Sequence, residues 1–222
     1  MPVSTTQTVI GTVAGIGIVT ASKINWGVFF KIFFCEFVGF FVSLAISFII
    51  YKFLAKIFTR GRFIAIERNI SLLVLFSGIF LAYSLGANNI GNAMGLVVGK
   101  GIMTPFIAGL TGGIALAIGS STLGRRVIKT IGSGIVEMDP VTAFSSQFSA
   151  ATIVYILALL GIPTSTTFAI VGGVTGAGLV KGIAAINKKT MKHILFSWVV
   201  IPTLGIISSS LLFIIISRAV GL

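Results

Sequence analysis

Charge is scarce in this chain. Only 9% of its 222 residues are charged, and four of those are acidic: Glu36, Glu67, Glu137 and Asp139. Soluble domains carry about 25% charged residues. A chain this poor in charge and 56% hydrophobic cannot hide its apolar surface from water. Cysteine is represented by Cys35 alone, which excludes an intrachain disulfide and a cysteine metal cluster. Histidine is as rare. His193 sits in a basic stretch without a partner for metal binding or acid–base work, and reads as a solvated loop end. No His-Glu-x-x-His, Cys-x-x-Cys or nucleotide-binding glycine loop is present, so neither an enzyme's catalytic group nor a cofactor is expected. No basic segment precedes the first apolar stretch, as a cleavable signal peptide requires, so insertion rests on the helices themselves. The net charge of +12 would suggest nucleic acid in a soluble protein. Here the lysines and arginines gather in short stretches between apolar runs and read as topology signals, with no nucleic-acid partner expected.

What the chain has is apolar length. Several runs reach the roughly 20 residues that a helix needs to cross about 30 Å of hydrocarbon. Their lack of alternation selects helices over a barrel. The expected fold is therefore all-α, a polytopic helix bundle of the cell membrane. Seven segments are predicted, over 7–20, 28–51, 70–98, 102–119, 143–161, 166–180 and 193–217. The first and sixth are short and glycine-rich, and the third is expected to break at Gly86-Ala87-Asn88-Asn89-Ile90-Gly91-Asn92. Discontinuous or re-entrant helices of this kind point to a transporter's binding site. Three basic stretches should face the cytoplasm: Lys52 to Arg68, Arg125-Arg126 with Lys129, and Lys181 with Lys188, Lys189 and Lys192. If every segment crosses fully, Pro2 starts on the cytoplasmic side and Pro163 on the outer side.

The chain repeats itself. Residues 2–19, PVSTTQTVIGTVAGIGIV, align without gaps to residues 163–180, PTSTTFAIVGGVTGAGLV, with nine identities in eighteen. The likeness continues to Asn25 against Asn187 with a one-residue shift. Inverted repeats follow, divided as 1–58 for the C-terminal part of the first, 59–69 for a basic cytoplasmic linker and 70–222 for the second. Carrying the second copy back 161 residues places the start of the first about ninety residues before Met1. The first repeat is thus expected to lack its N-terminal part, through a start codon assigned too late, a truncation, or a separate N-terminal polypeptide.

The repeated motif suits an anion. Proline fixes its own backbone and disfavours helix in the preceding residue, so Ser4, Thr5 and Thr6, and likewise Ser165, Thr166 and Thr167, fall at a helix start. A helix N-terminus offers unpaired N–H groups and about half a positive charge, and hydroxyls add donors without adding cations. Two such ends from opposite leaflets would clamp one tetrahedral oxyanion, against the plainer role of helix capping. Asn88, Asn89 and Asn92 lie at membrane depth, where an uncompensated polar group is costly. They offer donors to an anion and acceptors to a coupling cation, or else hydrogen bonds between helices. Glu36, inside FFKIFFCEFVGFF, is a candidate proton or cation ligand, unless it reaches the interface or pairs with Lys31. Glu67 is expected to pair with Arg68 or its basic neighbours, and Glu137 and Asp139 with Arg125, Arg126 or Lys129.

Four stretches carry a resemblance: PVSTTQ at 2–7, GANNIGNAMG at 86–95, GRRVIKTIG at 124–132 and GIPTSTTFAIVGGVTGAGL at 161–179. Together they resemble the inorganic phosphate transporter (PiT) family over nearly the whole chain. The resemblance implies two inverted repeats, each pairing an Asn-Asp helix break with a Ser-Thr-Thr hairpin tip. It also implies phosphate moved with sodium or protons, and a homodimer. By position it puts phosphate on Ser4, Thr5, Thr6, Ser165, Thr166 and Thr167, with Asn88 and Asn89 near phosphate and the coupling ion. The chain departs from the family pattern at Asn89, where an aspartate is usual, and at Gln7 and Phe168, where a histidine is common. The first Asn-Asp element is missing. Losing a carboxylate removes a ligand for sodium and an acceptor for the proton of hydrogen phosphate. A sulfate or other oxyanion permease is therefore the alternative substrate reading, and a partial or non-transporting subunit the alternative of a different class.

Overall fold

The structure is a computed structural model that describes residues 3–58 and 63–220. Among the described residues seven α-helices account for the regular architecture: α1 Thr5–Val19, α2 Trp26–Phe58, α3 Phe63–Gly99, α4 Pro105–Gly134, α5 Pro140–Leu159, α6 Thr166–Lys181 and α7 Lys188–Val220. A short turn of 3-10 helix, Ile183–Ala185, joins the last two. Five helices, all but α1 and α6, are long and apolar enough to cross a membrane. The all-α membrane bundle is as expected. Its outer faces are apolar, with Phe106 79% and Leu123 78% exposed on α4, where water would penalise them and lipid does not.

Helices α1 and α6 explain why the fold is not a simple bundle. At 15 and 16 residues, they reach only about 23 Å at 1.5 Å per residue, short of the hydrocarbon thickness. The starts of the two helices meet, the Thr167 hydroxyl donating to Val3 O at 3.2 Å and the Thr6 hydroxyl to Thr164 O at 2.8 Å, the second contact buried. The two half-helices stand end to end, N-terminus to N-terminus. Helix α5 descends to that junction and α6 returns from it, and the hairpin is closed at its base by Lys181 Nζ on Asp139 Oδ2 at 2.7 Å.

Packing repeats the sequence register. Helix α1 runs along α7, where an added Cβ on Gly11 would strike Pro202 O and one on Gly15 would strike Ile206 O. Helix α6 runs along α2 in the same way, with Gly172 against Phe40 O and Gly176 against Leu44 O. The glycines are 161 residues apart in each pair and their partners 162, the one-residue shift of the sequence alignment. Each element of the repeat thus packs on its counterpart's neighbour. The caps repeat as well. Asn25 Oδ1 accepts from Val28 N–H at the start of α2, and Asn187 Oδ1 from Thr190 N–H at the start of α7, each at 3.1 Å.

Three expectations fail. The Gly86–Asn92 stretch is continuous α-helix within α3. Its asparagines do not unwind it, because Asn88 spends its amide on another segment's backbone and leaves the helix's own ladder intact. Arg125, Arg126 and Lys129 lie within α4 and not in a loop. Asp139 pairs with Lys181 across the α5–α6 hairpin, a partner distant in sequence. The side chains of Arg125, Arg126 and Lys129, and the expected pairing of Glu67 with Arg68, lie outside the described residues.

Candidate functional site

The junction of α1 and α6 is built by capping. The Ser4 hydroxyl accepts from Gln7 N–H at 3.2 Å, and the Ser165 hydroxyl from Phe168 N–H at 3.3 Å. Both serines are extended in backbone and buried. Each cap uses one of the free donors of its first turn. The N–H groups of Thr5 and Thr6, and of Thr166 and Thr167, precede the first turn's hydrogen-bond ladder and point along the helix axis toward the opposing end. The sequence between each proline and its helix therefore does two jobs, ending one chain direction and presenting a positive helix end.

The contact between the ends is reciprocal. Thr6 donates to the carbonyl of Thr164, two residues before the Thr166 that starts α6; Thr167, its counterpart 161 residues on, donates to the carbonyl of Val3, the equivalent of Thr164. A local two-fold axis passes between them. Helix α3 clamps one side. Asn88 donates to Thr164 O at 2.7 Å and accepts from Thr164 N–H at 3.1 Å, pairing with that peptide as a neighbouring strand would. Its amide also reaches Asn89 Oδ1 at 3.1 Å, and Asn92 donates to the Thr6 hydroxyl at 3.4 Å.

Two cavities flank this junction. One, of about 360 Å³, is lined by Thr5, Asn89 and Asn92 with apolar residues of α3 and α4. The other, of about 330 Å³, is lined by Thr166, Thr167 and Gln147 with apolar residues of α3 to α6. Thr5 and Thr166 are counterparts, so each cavity holds the same face of one helix end. The residues expected to serve one ion are brought together within one cluster, but the structure deals them different parts. Ser4 and Ser165 are caps; Thr6, Thr167 and Asn88 tie the ends; Thr5, Thr166, Asn89 and Asn92, together with Thr167, border open space. Gln147, which joins the second cavity and accepts from Ser77 at 2.8 Å, was not singled out in the sequence. Nothing in its local pattern distinguishes it from a helix-packing amide.

Glu36 lies apart from the asparagines with which it was grouped. It is 1% exposed, and the polar side chain facing it is that of Gln7. Outside the membrane-spanning segments, Asp139 shows the opposing effects of partial burial and pairing. Burial raises its pKa, but the Lys181 ammonium and the Thr142 N–H outweigh it and hold the carboxyl below the ordinary aspartate value.

Comparison with known proteins follows the same lines. The structure of a protein named "The sodium-dependent phosphate transporter" superposes with a TM-score of 0.84 at 24% identity, covering 98% of this chain and 74% of that one. That likeness establishes the fold. A "putative phosphate permease" of Haemophilus influenzae is 34% identical over 194 residues, 78% of this chain and 46% of its own length. One of Thermococcus kodakarensis is 33% identical over 216 residues, 91% of this chain and 52% of its own length. The chain thus spans about half the length of these curated relatives. Residues 1–209 match the phosphate transporter family, and the chain, a multi-pass membrane protein, belongs to that family.

Proposed function

We propose that the chain carries the anion-binding centre of a cation-coupled transporter for inorganic phosphate in the cell membrane. The observation that carries this reading is the reciprocal meeting of two positive helix ends, Thr6 to Thr164 and Thr167 to Val3, at the junction of α1 and α6. A dianion brought there is met by hydroxyls and N–H groups from both sides without a buried cation that would hold it too tightly. Phosphate engages Thr5 and Thr166 from the two cavities, together with Asn89 and Asn92. Ser4, Thr6, Ser165, Thr167 and Asn88 hold those groups in place. On this reading, residues 1–58 form the C-terminal part of one inverted repeat and 70–222 the second, joined by the basic linker 59–69. The sodium dependence by which the structural relative is named supports coupling to a cation, sodium or proton. A cation offsets part of the cost of moving an anion against the membrane potential, roughly 2.3 kcal/mol per charge per 100 mV.

Reconstituted chain tests this. Labelled phosphate should enter proteoliposomes when a sodium or proton gradient is imposed, and Thr5→Ala or Thr166→Ala should abolish the uptake. Excess unlabelled sulfate should leave the uptake unchanged. Displacement of phosphate by sulfate would make sulfate the substrate, which the amide at Asn89 favours because sulfate brings no proton to an acceptor. Absence of uptake with folded chain would favour a role in assembly with a further polypeptide or a second copy of the chain.

A further inference from the structure

The two repeats differ at one buried pair. In the second, Phe168 of α6 stacks on Trp198 of α7 with ring centroids 3.5 Å apart. Counting back 161 residues from Phe168 gives Gln7, and counting back 162 from Trp198 gives Glu36, the offsets that relate the rest of the two halves. An aromatic stack in one half is thus a glutamine and a carboxylic acid in the other. Both Glu36 oxygens and Gln7 Oε1 are buried acceptors with no donor. Among the described residues no charged group acts on Glu36, and the ionisable residues of α7 stand toward its two ends, Lys188, Lys189, Lys192 and His193 at the start and Arg218 at the finish. Helix α1 carries no ionisable residue, and α6 has only Lys181, at its far end and engaged with Asp139. The ionisable residue of α5 is Tyr155, packed on Phe80 and Tyr83. Cys35 and Lys31 on α2 itself are the nearest along the chain.

We propose that Glu36, held against Gln7, is the proton-binding site that couples anion binding at the α1 tip to proton movement. This rests on the phosphate reading and names its coupling ion. The Gln7 amide N–H can serve a Glu36 oxygen but leaves Gln7 Oε1 unserved, and a proton on Glu36 lets the two side chains pair as acid and amide, its hydroxyl donating to Gln7 Oε1. An ionised Glu36 would be a lone charge at membrane depth, costly in itself. It would also stand beside the first turn of α1, since Gln7 follows directly on Thr6, and would draw on the same positive helix end as the substrate. Two anions compete there, and protonating Glu36 removes one of them. By linkage, the anion then raises the proton affinity of Glu36 as much as the proton raises that of the anion. The proton bound from water as the anion arrives returns to water when it leaves.

Calorimetric titration of the purified full chain with inorganic phosphate, in two buffers of different ionisation enthalpy and without sodium, tests the proposal. At a pH where free phosphate is wholly dianionic, the wild type should take up about one proton per phosphate more than Glu36→Gln, with an affinity that falls about tenfold per pH unit as the carboxyl ionises. Infrared spectra should show a protonated-acid carbonyl band at neutral pH that Glu36→Gln removes. The double variant Gln7→Phe with Glu36→Trp transplants the pair of the second repeat and should fold yet show no proton linkage. Equal proton uptake by wild type and Glu36→Gln, or a carbonyl band that survives the substitution, overturns the role of Glu36. Binding of phosphate to neither chain, with the band present, overturns instead the phosphate reading on which the coupling rests.

Discussion

Asn88 grips the Thr164 peptide by both its N–H and its C=O, and that grip accounts for an asparagine at this depth. Asn88→Asp keeps an acceptor for the N–H but turns a carboxylate oxygen toward the carbonyl, so stability should fall by about 1–3 kcal/mol, read from thermal unfolding in detergent. Asn88→Ala leaves the Thr164 N–H without an acceptor while Thr6 still serves the Thr164 carbonyl, and should likewise cost about 1–3 kcal/mol. Asp139 offers a test by pH. Its folded pKa lies below the ordinary value, so its contribution is complete above the ordinary carboxylate range and is lost as pH falls through the folded value. Asp139→Asn retains a good N-cap for Thr142 while losing the Lys181 pair. Its melting temperature should therefore change less than that of the wild type on acidification. A parallel decline of both proteins would remove Asp139 from the account.

The helices obey their glycines selectively. Gly11, Gly172 and Gly176 sit where a Cβ would collide with a carbonyl oxygen of the neighbouring helix, while Gly86, Gly91 and Gly95 of α3 have nothing within 4 Å. Gly172→Ala and Gly11→Ala should each destabilise the fold by about 1–3 kcal/mol through overpacking. Gly91→Ala should be neutral or stabilising by up to about 1 kcal/mol, since alanine is the better helix former. Chemical denaturation of the three variants separates them. The same contrast marks what the sequence made legible. The offset between the two copies, carried on to Asn25 and Asn187 with its one-residue shift, is the offset at which the packing repeats. The glycines around Asn88 suggested a break because no local signal says where an amide's partner lies. Once Thr164 takes that amide, α3 has no reason to unwind. Asp139 was misassigned for a related cause, as its partner follows 42 positions later at the other end of a hairpin.

Taken whole, the molecule is two half-helices meeting head to head, each braced by the long helix of the other's repeat. Composition was enough for the membrane and the helices, and the duplicated motif for the inverted pair. The division of labour inside the motif was not readable, because serine caps, tying threonines and cavity-facing threonines share one short run of similar residues. Their roles follow from the direction of each hydroxyl, which only the opposing tip determines. The account's central claim is that both tips serve one anion. A double-mutant cycle on phosphate affinity addresses it most directly, comparing wild type, Thr5→Ala, Thr166→Ala and the double variant by equilibrium binding. Each single change should weaken binding at least about tenfold, near 1.4 kcal/mol, and the double variant should depart from additivity by more than about 0.5 kcal/mol. Full affinity in either single variant, or strict additivity of the two, would contradict a shared site.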